Sequence, residues 1–507
     1  MDIKKIAIAG DIYQDQGTLE RYSHDASSYK IIPQLVVAPK SEDDIVKVVT
    51  FARNEGLSIT SRSGGTGLSG AAIGNGIILD FQKYFHRVLD INDRTVVQPG
   101  TILVDFQREI ESCDLMLPPV PMSSSSCALG GNVGTRSTGP YTTRYGSIDE
   151  FIVSLRFITS SGEVIDTEET LPAYISDGIN RIRDQFLDDS ASLEFLQDRP
   201  MIAGGYNLKA MSKYADPAQI LTHLMVGSVG TLGIITEIRL RLISHRPSRG
   251  TLVALFNDVD EFFDAGLELK KYNPAALEFA DASCLRQING KILNTLGSNA
   301  SVALIIEFDS SRVQVDRAKE LLKRYDLTKL WEIHPGDKNE ALLLDERKRI
   351  LPSLRINAQS NQMFVPSIID NIAIHLKDFG TVYREIDTLM RHLDQPVSFF
   401  GHLGFGSIQA YPYFNVSDRD LRQKMVIVSS GTYEILKKFH GTLVGVYNTG
   451  RSNAVYLKQE LGGSFKYMEM IKKLLDPDDL LNPGIVFNPS PIYADMDLSR
   501  YASLRGT

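Results

Sequence analysis

Three cysteines in 507 residues, Cys113, Cys127 and Cys284, lie far apart and form no C-x-x-C pair. The sequence therefore encodes neither a zinc site nor an iron–sulfur cluster, and any such cluster belongs to a partner. Positive charge is not in excess: 54 Lys and Arg stand against 62 Asp and Glu, and the net −8 is spread along the chain. That excludes the basic footprint of a nucleic-acid binder. No stretch approaches the ~18 consecutive apolar residues of a membrane span, and the opening MDIKKIAIAGDIYQDQG has too short an apolar run for a signal peptide. A reducing cytoplasm is expected, with peripheral membrane association left open.

What the chain does have is apolar content of 43%, enough for two or three cores, and glycine gathered into clusters. The first cluster is Ser61-Arg-Ser-Gly-Gly-Thr-Gly-Leu-Ser-Gly70, between strand-like runs at Leu57 to Thr60 and Gly76 to Phe81. Gly64, Gly65, Gly67 and Gly70 free the backbone for positive φ, so that successive N–H groups converge on a phosphate. Upstream, an extended run from Gln34 to Ala38 precedes Ser41-Glu-Asp-Asp44, which has the form of a capping box, and a helix with Ile45, Val48, Val49 and Ala52 on one face ends at Gly56. In a Rossmann unit the glycine fingerprint lies between the first strand and its helix; here it follows the second strand, which disfavours a nicotinamide fold.

A strand at Thr95 to Gln98 and a helix near Leu103 to Cys113 follow, with Leu103, Phe106 and Ile110 facing a core. In Pro118 to Gly139 almost every side chain after Met122 is small or hydroxylic, so a flat ligand can lie on backbone while N–H and hydroxyl groups meet its polar rim. A strand at Phe151 to Thr159 comes next. Leu171 to Pro200, with Ile179, Ile182, Phe186 and Leu187 on one stripe, reads as a surface insertion. Ala203 to Lys209 and His223 to Thr236 bring a third glycine cluster, and three such segments can enclose one extended cofactor.

Four motifs in order, Arg62-Ser-Gly-Gly-Thr-Gly-Leu-Ser-Gly70, Pro119-Val-Pro121 with Gly130-Gly-Asn-Val133, Val226-Gly-Ser-Val-Gly-Thr-Leu-Gly233 and Asp476-Pro-Asp-Asp-Leu-Leu-Asn-Pro-Gly484, make the chain resemble the FAD-linked oxidase family of vanillyl-alcohol-oxidase type nearly end to end. Within it the chain is most similar to D-lactate dehydrogenases, D-2-hydroxyglutarate dehydrogenases and the glycolate oxidase flavoprotein subunit. The resemblance implies an α+β fold. It implies a two-lobed FAD-binding domain over residues 1–246, a cap domain with an antiparallel sheet over 247–462, and a segment at 463–507 that returns to the FAD domain.

The resemblance also implies that Arg62, Ser63, Gly64, Gly65, Thr66, Gly67, Leu68 and Ser69 hold the FAD pyrophosphate. Pro121, Gly130, Gly131, Asn132, Thr135 and Gly139 line the adenine-ribose and flavin; Val229, Gly230, Gly233 and Ile235 close the site; Asn482 returns to the flavin. Covalently flavinylated relatives carry a histidine where this chain has Thr66, which implies non-covalent FAD. Independently of the resemblance, Gly250 to Phe256 and Ser301 to Phe308 read as cap strands, and Val259 to Tyr272 and Val313 to Tyr325 as helices.

The catalytic runs depart from the family pattern of two histidines and a glutamate on a metal, with a further histidine as base. Gly401-His-Leu-Gly-Phe-Gly-Ser-Ile-Gln409 keeps His402 but has Phe405, Ser407 and Gln409 at the other positions, and Gly445-Val-Tyr-Asn-Thr-Gly-Arg451 puts Val446 for the glutamate and Tyr447 for the base. One ligand of three makes no family-type metal site. Val229 also replaces the usual glutamate of the third glycine motif.

The candidates for chemistry are His402, a base near neutral pH or a structural histidine; Tyr447, a base only with a much lowered pKa; Arg347, at the family's substrate-binding position or in a solvated charge run; and Arg451, a second carboxylate clamp. The expected function is oxidation of a small 2-hydroxy acid with electrons passed to a quinone, an electron-transfer flavoprotein or an iron–sulfur subunit. The alternatives are a flavin-binding relay or structural subunit with a decayed substrate site, and a metal-independent flavoenzyme whose substrate enters an apolar pocket lined by Phe405 and Val446. The alkylglycerone-phosphate synthase type of chemistry is disfavoured, because its histidine-rich run is absent. The tail from Pro489, with Tyr493, Met496 and Tyr501, is either a docking segment or a disordered terminus.

Overall fold

Ser41 caps the helix Glu42–Glu55, its side chain accepting from the Asp44 amide at 3.2 Å, and Gly56 ends it at φ 67°. Asp44 does not complete a capping box: its carboxylate instead accepts from the backbone of Ala9, Gly10 and Lys40. In this computed structural model, which describes residues 6–92, 94–200, 204–288 and 300–499, the helix packs Ile45, Val48, Val49 and Ala52 on a four-stranded sheet. Leu35–Ala38, Ile77–Asp80 and Ile59–Arg62 run parallel in it, and Asp11–Tyr13 joins one edge antiparallel. Leu481 bridges to Ile59 at the other edge, which brings the carboxy-terminal region beside the first glycine cluster.

A second, antiparallel sheet of five strands has the order Val88–Asp90, Thr95–Val97, Ile234–Leu240, Ile152–Ile158, Val164–Asp166. Helix Ala173–Leu187 lies in its core. Ile175, Ile179, Ile182 and Phe186 are buried there, and Phe186 meets Tyr467 of helix Phe465–Leu475 edge-on. This segment is therefore part of the core and not the surface insertion expected from its charge, because its apolar stripe finds the carboxy-terminal helix as a partner.

The strands Gly250–Phe256, Val302–Phe308 and Ala276–Asp281 pair in a seven-stranded antiparallel sheet that has Leu327–Ile333 at one edge and continues through Val397–Gly401, Ser407–Pro412 and Ile369–Ala373. Helices Val259–Lys270, Arg312–Leu322 and Phe379–His392 bury their apolar residues against one face. Tyr493 and Met496 of the tail pack against the same cluster, and Tyr29 donates to the Ile492 carbonyl at 2.6 Å; Tyr501 and Ala203 lie outside the described residues. Among the described residues no helix is long and apolar enough to cross a membrane.

Candidate functional site

A cavity of about 780 Å³ runs from the first glycine cluster to the seven-stranded sheet. Arg62, Ser63, Gly64, Gly65, Thr66, Gly67, Leu68 and Ser69 line one end. Of the four glycines expected at positive φ, only Gly65 (61°) and Gly70 (77°) adopt it. Gly64 is needed for close approach instead, since a Cβ there would stand 2.5 Å from the Ser126 carbonyl oxygen. The Arg62 guanidinium turns back to the His24 carbonyl at 2.7 Å, so it braces the loop.

Pro121, Gly130, Gly131, Asn132, Thr135 and Gly139 form the next stretch of wall, and Val229, Gly230, Gly233 and Ile235 stand on it as well. Val229 holds φ 47°, a strained conformation for a β-branched residue. Its amide donates to the Gly134 carbonyl at 2.8 Å and its carbonyl accepts from Asn482 Nδ2 at 2.8 Å, which pins it.

Asn482 and Arg451 are not on the cavity wall. Asn482 is a staple: its amide also donates to the Ala71 carbonyl at 2.9 Å, and its Oδ1 accepts from Thr60 at 3.1 Å. It joins two glycine segments because its carboxy-terminal loop crosses the sheet edge behind them. Arg451 packs behind Gly70 and donates to the Ile73 carbonyl at 3.3 Å.

At the cap end, Arg347, His402, Gln409, Val446 and Tyr447 line the cavity together with Glu278, Lys348 and Arg355, which the sequence reading missed. Phe405 does not line it; it stacks on the His402 ring at 5.1 Å. Arg347 is a buried cation and not part of a solvated run: it pairs with Glu278 and lies 3.6 Å from Glu307, while His402 Nδ1 lies 2.9 Å from Glu278. Burial and the Arg347 charge push the His402 pKa down, to about 3. The neighbouring Glu278 carboxylate opposes part of that fall, but the ring is uncharged at neutral pH and a poorer base than expected. Tyr447 is pushed well up by burial and by Asp370, to which its hydroxyl donates at 2.6 Å, so the lowered pKa that a phenolate base needs is contradicted.

Behind Arg347, Tyr141 donates to Glu307, and Arg144 pairs with Asp309 at 2.6 Å, which fastens the cap sheet to the glycine-rich half. Burial pushes the Glu307 carboxyl up to about 7 from an ordinary 4.5. Because the folded value is the higher one, its stabilising contribution is complete below pH 4.5 and is lost as pH rises through 7, by about 3 kcal/mol. Glu307→Gln is expected to flatten that decline, read as a melting temperature that no longer falls between about pH 5 and pH 8.

Among the described residues no three His, Cys, Asp or Glu side chains come together as metal ligands. The cap end reaches the glycines through Asn448, whose Oδ1 accepts from the Gly205 amide at 2.9 Å and whose Nδ2 donates to the Gly227 carbonyl. An asparagine between Tyr447 and Thr449 gave no sequence signal of that role.

Residues 33–168 match the family described as FAD binding domain, and residues 246–486 match FAD linked oxidases, C-terminal domain. The chain is 26% identical over 503 residues to glycolate oxidase subunit GlcD of Bacillus subtilis, covering 96% of this chain and 97% of that one. It is 24% identical over 552 residues to D-2-hydroxyglutarate dehydrogenase of Haemophilus influenzae, covering 96% of this chain and 52% of the relative, so it spans about half of that protein's length. The fold is similar to that of 4-ethylphenol oxidase from Gulosibacter chungangensis, with TM-score 0.64, 16% identity and 94% of each chain covered.

The cavity suits an FAD. Ser61 Oγ and Ser137 Oγ, both on its wall, are buried without a protein hydrogen-bond partner. A Cβ at Gly67 or Gly134, also on the wall, would meet no atom within 4 Å. Unpaired buried polar atoms beside open backbone are what a polar, flat cofactor leaves behind in its protein.

Proposed function

The chain belongs to the FAD linked oxidases, and from that premise we propose that it is an FAD-dependent dehydrogenase of a small 2-hydroxy acid, passing the electrons to a separate acceptor. Three units carry the reaction, divided near residues 246 and 462: an FAD-binding domain, a cap that holds substrate, and a carboxy-terminal segment that staples the glycine segments. The observation that supports this most is Arg347, a buried cation on the same cavity as the glycine segments, whose terminal nitrogens face Glu278 and Glu307 and whose Nε has no hydrogen-bond partner.

Its Nε–H and its charge hold the substrate's carboxylate by a charge-assisted hydrogen bond. His402, uncharged and beside Arg347, hydrogen-bonds the hydroxyl end and sets the substrate's orientation. The aliphatic and aromatic wall of Phe279, Ile305, Leu351, Phe400 and Val446 keeps water from the reacting carbon. FAD, when bound, supplies the two-electron acceptor. Arg451, being off the cavity, has no part in substrate binding.

The test is anaerobic mixing of the yellow protein with D-lactate, D-2-hydroxyglutarate and glycolate. Bleaching of the flavin band by at least one of them is expected. An unbleached band across a panel of hydroxy acids, with FAD intact, would sink the proposal and favour a relay subunit.

A further inference from the structure

Behind the cavity wall stands an acid that no part of the reaction has yet used. Asp370, on the strand Ile369–Ala373, is 2% exposed. Its Oδ2 accepts the Tyr447 hydroxyl at 2.6 Å and the Tyr411 hydroxyl at 3.1 Å, and Ser367 adds a further hydrogen bond. Arg355 spends its terminal nitrogens on the Ala26 carbonyl at 2.8 Å and on Ser367 at 3.0 Å, so Asp370 is held by hydroxyls and not by a direct ion pair. Of the three hydroxyl donors only Tyr447 lines the cavity.

Tyr447 is also held from the backbone. The Asn371 side chain accepts from the Val446 amide at 2.6 Å and the Tyr447 amide at 3.0 Å, and donates to the Tyr447 carbonyl at 2.6 Å. The residue after Asp370 thus sets the phenol that touches Asp370. Burying a carboxylate is expensive, and one connected to a substrate cavity through a single fixed hydroxyl has the layout of a proton path.

Resting on the dehydrogenase reading, we propose that Tyr447 and Asp370 relay the substrate's hydroxyl proton. The substrate O–H proton passes to Tyr447 Oη as the Tyr447 proton passes to Asp370 Oδ2. The hydroxyl oxygen forms the second bond to carbon, and the α-hydrogen leaves with its electron pair as hydride, for which a bound flavin is the oxidant. Substrate gives up two electrons and two hydrogens and becomes a 2-oxo acid, and Asp370 ends as a neutral acid.

The electrostatics agree with this assignment. Burial raises the Asp370 carboxyl, which moves it toward the range of an efficient acceptor, whereas burial and Arg347 make His402 a weak one. Tyr447 stays protonated and serves as conduit. The groups that face Asp370 are Tyr447, Tyr411 on the strand Ser407–Pro412, Arg355 on the helix Ile350–Ser360, and Tyr29 of the amino-terminal segment.

The test uses FAD-loaded protein with D-lactate, D-2-hydroxyglutarate and glycolate, following bleaching anaerobically across pH. Asp370→Asn and Tyr447→Phe are expected to slow it by about 10²–10⁴-fold, and the double variant to be no slower than either single. The wild-type rate falls toward acid as Asp370 takes a proton; Asp370→Asn loses that limb and Asp370→Glu recovers part of it. Two readouts need no turnover. Oxalate affinity, read from the flavin spectrum, stays at the wild-type value in all variants. An infrared carboxylic-acid band that grows as pH falls is absent in Asp370→Asn and moves to higher pH in Tyr447→Phe.

Wild-type bleaching rates in either single variant, loss of oxalate affinity in step with the rate, or no such infrared band overturns the relay alone. A wild-type protein that none of the three acids bleaches overturns the dehydrogenase reading and the relay with it.

Discussion

Lys472→Met is expected to destabilise the FAD-binding half by about 3–5 kcal/mol and to yield protein that has lost its FAD. The Lys472 ammonium is buried between the Thr231 carbonyl at 3.0 Å, the Leu481 carbonyl at 3.1 Å and the Asp476 carboxylate at 2.6 Å. Asp476, 1% exposed, in turn accepts from the amides of Leu480 and Leu481. One cation therefore ties the third glycine segment to the loop that carries Asn482. Removing it leaves a buried carboxylate without its counter-charge and two carbonyls without a donor. The lone tryptophan, Trp331, lies on the cap strand Leu327–Ile333, so its fluorescence reports the cap while flavin release reports the other half. In urea the flavin transition should move to lower concentration and the Trp331 transition should stay. Lys473→Met, at an exposed neighbour, should leave both within about 0.5 kcal/mol of wild type.

That clamp shows where the sequence was readable and where it was not. The motif Asp476 to Gly484 is visible as a run of turn residues, and its return to the glycine segments follows from resemblance. Which side chain touches the cofactor and which touches the loops is a matter of a few ångströms. Asn482 falls on the loop side, because its strand-edge position places it behind Ala71 and Val229. Glycine clusters were legible for a local reason: backbone approach and positive φ restrict the residue type at that position itself.

The cap site was legible only in part. His402 and Tyr447 stand in recognisable runs, but the charges that decide what they can do, Glu278, Glu307 and Asp370, come from three separate strands. Each sits in a mostly apolar stretch where an acidic residue looks like an ordinary strand position. Likewise Arg347 reads as one of five charges in Asp345-Glu-Arg-Lys-Arg349, and only folding shows that it is 6% exposed against two glutamates. Long-range pairing between strands and a helix leaves no periodic trace in sequence.

Arg347→Met is expected to retain FAD, since the glycine segments are untouched, and to lower kcat/KM for the hydroxy acid by about 10²–10³-fold, the equivalent of a truncated buried charge contact of about 3–4 kcal/mol. The loss should fall mainly on KM, because the carboxylate is held in the ground state as well as the transition state. Arg347→Lys should recover little, as an ammonium offers no planar fork to share between Glu278 and a second carboxylate. Stability separates this from a trivial folding defect. Without Arg347 the Glu278 carboxyl is buried and uncompensated, so its folded pKa rises above the unfolded value. The variant is then nearly as stable as wild type in acid, where Glu278 is protonated, and loses about 3–5 kcal/mol as pH rises toward 8. Adding Glu278→Gln to Arg347→Met removes the stranded charge, so most of the stability at pH 8 should return while kcat/KM stays low. Equal recovery of both would mean that Arg347 serves only to neutralise Glu278, and that the substrate carboxylate is held elsewhere on the cavity wall.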